Sequence, residues 1–60
     1  MSDTQFLSDV YRAAVALLDA RSVLDLTVDA SVPDVAWQCQ DAGMTAAEVA
    51  AQLVEDEAIR

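Results

Sequence analysis

Cys39 is the sole cysteine and the only residue with the makings of a strong nucleophile. Gln38 and Gln40 flank it, and no cationic residue stands beside it to favour the thiolate. The chain contains no His and no Lys, so the common bases of acid–base catalysis are missing. Its Ser and Thr residues fall near helix starts, where capping accounts for them. A small buried core residue is the plainer reading of Cys39. These residue types predict a non-enzymatic protein.

Carboxylates are the abundant polar group. Asp25 and Asp29 have the chemistry to hold a hard cation, but the segment lacks the D-x-D-x-D-G loop and closing Glu of a calcium site. One Cys without His excludes a tetrahedral zinc site within one chain. No metal and no cofactor is therefore expected. Asp34 and Asp41 share a helix face but stand two turns apart, too far for a paired-carboxylate site. With Glu48, Glu55, Asp56 and Glu57 they form a candidate acidic face for a protein partner. A solvated surface that serves only solubility is the plainer reading of the same six residues. Tyr11 and Trp37 are types favoured at interaction hot spots, although core anchoring is the plainer reading of both.

Charge narrows the partners. Three basic residues against eleven acidic ones leave a net charge of −8. All three are arginines, and none lies between Arg21 and Arg60. Nucleic-acid backbones and anionic membranes should repel such a chain, so the expected charged partner is a basic protein. The longest apolar run, Ala13 to Leu18, is far below the ~20 residues of a membrane span. The start, Met1-Ser2-Asp3, is acidic where a secretory signal is basic. With a single thiol, this suggests a cytoplasmic setting.

These side chains must be positioned by helices. The chain is 55% apolar and has twelve Ala against one Gly and one Pro, a helix-forming and not a disordered composition. Sixty residues allow a single domain, 1–60. The pattern predicts an all-α, three-helix domain with helices over about 4–21, 32–42 and 45–58. In the first, Phe6, Val10, Ala13, Ala14 and Leu17 share a side that Leu7, Tyr11, Val15 and Leu18 extend. That arc covers roughly 200°, wider than a surface helix needs. Residues 22–30 fit two patterns. Leu24, Leu26 and Val28 alternate with Asp25, Thr27 and Asp29 like a strand, while Leu17, Arg21, Leu24 and Val28 keep helical spacing. An extended or irregular segment is expected; a strand here would need another chain to pair with.

Ser31-Val32-Pro33-Asp34 reads as a start signal with Ser31 as the cap. Val35, Trp37, Cys39 and Ala42 are the expected packing residues of this helix, and Gly43 its stop. Thr45 and Glu48 form a capping box. Ala46, Val49, Ala50, Leu53 and Val54 then face inward, opposite Glu48, Gln52, Glu55 and Asp56. Glu55, Asp56 and Glu57 crowd the negative end of the helix dipole, so the last turn should fray unless a basic partner uses it.

A chain this short is marginal without a staple. With the wide arc of the first helix, that favours a homodimer over the plainer alternative, a helix buried centrally within one monomer. Phe6, Val10, Tyr11, Leu17 and Trp37 are the candidate dimer seam, or else an apolar hot spot for another partner.

Residues 39–49, Cys39-Gln40-Asp41-Ala42-Gly43-Met44-Thr45-Ala46-Ala47-Glu48-Val49, resemble the central turn of helix-turn-helix domains. A small residue stands four before the Gly and an apolar one six after it. The same stretch resembles the helical half of ribbon-helix-helix repressors, which would make Val23 to Val28 a strand paired across a dimer. Either resemblance implies a DNA-binding regulator. Both families place cations on the reading surface, where this chain offers Glu48, Gln52 and Glu55.

The expected function is thus an acidic protein-interaction module. It would be a small regulator or inhibitor that occupies a basic surface of another protein, such as a nucleic-acid-binding one, as a DNA mimic does. The alternative is a DNA-binding regulator of one of the two resembled types.

Overall fold

A computed structural model describes residues 3–60, with side chains from Thr4 onward; Met1 and Ser2 lie outside the described residues. The element order is α1 (Asp3–Leu18), a 3-10 turn (Val23–Asp25), α2 (Val32–Asp41) and α3 (Ala46–Glu55). The three-helix, all-α architecture is as the composition predicts. No helix among the described residues is long and apolar enough to cross a membrane.

The core follows the helical repeat. Val10 and Ala14 on α1, Val32 and Ala36 on α2, and Val49 and Leu53 on α3 each stand four apart and point inward. Ala50 and Ile59 complete the buried set. Three of these eight residues are Ala, which lets the helix backbones approach closely. Helix α1 packs chiefly on α3, with α2 and the 3-10 turn also against it, and part of its apolar arc stays open, with Leu17 55% exposed. A radius of gyration of 10.2 Å matches the ~10 Å expected of a folded 60-residue chain.

Each helix ends in the same way. The residue after the cap turns into the left-handed region: Asp19 (φ 54°), Gly43 (φ 88°) and Glu57 (φ 62°). The next amide reaches back to the carbonyl five residues earlier. Ala20 N–H donates to Val15 O at 3.0 Å, Met44 N–H to Cys39 O at 3.0 Å, and Ala58 N–H to Leu53 O at 2.9 Å. These are three Schellman endings, only one of which uses glycine.

Four local expectations are corrected. Helix α1 stops at Leu18 and not Arg21, because Asp19 turns left-handed. Ser31 makes no side-chain cap; its φ of −79° and ψ of −11° are already helical, so its hydroxyl is not set against the first-turn amides. Val32 N–H donates instead to Asp29 O at 3.0 Å. Helix α2 buries Val32 and Ala36, with Cys39 beside them, while Val35 and Ala42 are exposed; the inward stripe is rotated from the expected one. Finally, α3 ends at Glu55, and the chain beyond it folds back instead of fraying.

That return settles residues 22–30. Val28 and Ile59 form an isolated antiparallel bridge. Thr27 and Arg60 exchange two backbone hydrogen bonds, and Asp29 N–H donates to Ala58 O at 3.0 Å. The extended half of this segment therefore pairs within its own chain and not across a dimer. Val23–Asp25 is a 3-10 turn, which removes the strand that a ribbon-helix-helix fold would need.

Candidate functional site

The six expected partner-binding carboxylates are all exposed. Asp34 and Asp41 stand seven apart on α2, as do Glu48 and Glu55 on α3; at ~100° per residue each pair shares a face. Asp56 caps α3 and Glu57 follows it. Among the described residues none of the six makes an ion pair; the carboxylate that does is Asp29, 3.7 Å from the Arg60 guanidinium. Arg60 Nη1 also donates to the Glu57 carbonyl oxygen.

Two of the six have local work. The Thr45 N–H donates to Glu48 Oε1 at 3.0 Å, and the Glu48 N–H donates to Thr45 Oγ1 at 3.2 Å. This is the capping box expected from the sequence. The Thr45 amide, and secondly its side chain, hold the Glu48 carboxyl below the usual glutamate range. Asp56 Oδ2 accepts from Gln52 Nε2 at 3.1 Å. Asp34, Asp41, Glu55 and Glu57 make no side-chain bond of this kind.

The candidate apolar residues divide by burial. Val10 is fully enclosed in the chain's own core and presents no surface. Phe6, Tyr11 and Trp37 are half-buried, and burial pushes the Tyr11 phenol up. Leu17 is 55% exposed. Cys39 is half-buried against the core. Among the described residues no three acidic or thiol side chains come together as metal ligands would.

The structure adds two features that the residue pattern did not single out. A groove of about 220 Å³ is lined by Thr4, Leu7, Ser8, Tyr11 and Val23. Leu24, which follows Val23 on the 3-10 turn, is 94% exposed. Leu24 fitted both periodicities of its segment as an inward residue, so local pattern gave no signal of its exposure. A second, wider hollow of about 590 Å³ is lined by Leu18, Asp19, Ala20, Arg21, Asp25, Leu26 and Arg60. Two guanidiniums and two carboxylates balance there.

No family model matches the chain, and neither a curated protein nor a solved structure matches it.

Proposed function

We propose that this chain is a non-enzymatic protein-interaction module, a small regulator or inhibitor whose α2–α3 carboxylates meet a basic surface on another protein. The observation that carries the reading is that Asp34, Asp41, Glu55 and Glu57 are exposed and that, among the described residues, none of their carboxylates forms an ion pair. Desolvated against Lys or Arg, such groups gain charge-assisted hydrogen bonds. At longer range they speed encounter and turn away acidic partners. A basic surface of this kind is what nucleic-acid-binding proteins carry, and an acidic chain seated there would block it. The module acts in the cytoplasm, as a homodimer.

Tagged protein is used to capture partners from lysate with low-salt and high-salt washes, beside an Asp34→Asn/Asp41→Asn/Glu55→Gln variant. A basic protein released by high salt and lost by the variant is the expected result. A partner held equally by the variant overturns the acidic-face reading. Retention of the wild-type chain on heparin at low salt would instead favour the DNA-binding alternative.

A further inference from the structure

We infer that the α1 and 3-10-turn face is a self-complementary docking surface for a second copy of this chain, with Leu24 of each copy seated in the other's Leu7–Tyr11–Val23 groove. The inference refines the homodimer named above and rests on that reading.

Among the described residues, four large apolar side chains are exposed, and three of them, Leu17, Val23 and Leu24, lie between the end of α1 and the turn. Leu24 is the extreme case at 94%. It is held on an ordered turn, because the Asp25 and Leu26 amides donate to the Ser22 and Val23 carbonyls at 3.1 Å each. The neighbouring groove has room for it. A cavity of roughly 150 Å³ holds a benzene ring, and this one measures about 220 Å³.

Knob and groove adjoin, since Val23 lines the groove and Leu24 follows it. A two-fold contact places the same patch on both copies, so each knob can meet the other's groove. Charge selects the same face. Two copies at −8 each repel, and a stable contact of ~800 Å² per partner would take about a fifth of the 3975 Å² surface. The groove lining carries no ionised side chain. The α1 and turn segment around it holds four carboxylates against two arginines, whereas seven carboxylates face one arginine in the rest of the chain. Docking through α1 therefore joins the less charged part of each copy and leaves the α2–α3 carboxylates free.

The test is sedimentation equilibrium of the full chain, wild type, Leu24→Asp and Val35→Asp, from low to high micromolar. Circular dichroism checks the helices of each. The expected result is a wild-type dimer that tightens with added salt. Leu24→Asp should weaken it by at least ~100-fold with unchanged helicity, and Val35→Asp should leave it intact. In a mixed-isotope sample, contacts between the Leu24 methyls and the Tyr11 ring should cross between copies. A dimer indifferent to Leu24→Asp and lacking those contacts overturns this inference alone, with the homodimer surviving through another seam. A wild-type monomer at high micromolar concentration overturns both, including where Leu24 proves to hold a different protein.

Discussion

Thr27 and Arg60 are joined by two reciprocal backbone hydrogen bonds: Thr27 N–H donates to Arg60 O at 2.7 Å, and Arg60 N–H donates to Thr27 O at 2.8 Å. The pair ties the end of the described chain to the segment between α1 and α2. It also seats Ile59, 1% exposed, against the core. The expected consequence is that Ile59→Ala destabilises the fold by about 2–4 kcal/mol, a large share of what so small a domain can muster. A denaturant melt measures it. A loss under ~1 kcal/mol, half the low end for truncating a buried Ile to Ala, would mean that the C-terminal return is not part of the cooperative unit.

Thr45 and Glu48 lock the start of α3. Thr45→Ala should cost ~1 kcal/mol, read from urea midpoints at constant slope. Unchanged midpoints would place the helix start elsewhere.

The same box predicts a pH effect. The Glu48 carboxyl is held low by bonds present only in the folded chain. Its contribution is complete above the unfolded glutamate pKa and is lost as pH falls through the lower folded value. The melting-temperature gap between wild type and Glu48→Gln should therefore narrow from pH ~7 to about pH 2. A gap that stays constant would mean that charge plays no part in the cap.

The three left-handed residues make opposite predictions. Glu57→Gly should stabilise by roughly 0.5–1 kcal/mol, because the Cβ strain removed exceeds the added chain entropy. Asp19→Gly should gain less, since Asp tolerates this conformation better. Gly43→Ala should cost ~1 kcal/mol. A Cβ at Gly43 would meet nothing within 4 Å, so that cost is backbone strain alone. Thermal melts of the three variants test the ordering.

Net charge should limit stability. Raising salt from ~20 to ~500 mM shortens the screening length and should raise the melting temperature of a chain at −8. A monomeric Leu24→Asp variant should show the same rise, which separates screening within the fold from salt-driven association.

The helices were legible because their signals are local. The Thr45–Glu48 spacing, Gly43, and the four-residue repeats of Val10–Ala14 and Val49–Leu53 each act within one or two turns. The sequence also determined the charge balance and the lack of His and Lys. Where the competing signals were equally local, reading failed. Ser31 looked like a cap, yet the Asp29 carbonyl takes the Val32 amide. Val35 looked inward, yet Val32 and Ala36 hold the core.

Tertiary structure alone decided the rest. Residues 22–30 carry strand and helix periodicity together, and only the returning C-terminus, over thirty residues away, selects extended backbone at Thr27–Asp29 by accepting and donating its hydrogen bonds. Glu57 turns left-handed against its own propensity because the turn delivers Ile59 to the core. Leu24 is left outside, 94% exposed, while Leu26 two residues on packs against the core. Such outcomes depend on contacts between segments distant in sequence, and the local pattern of residues does not encode them.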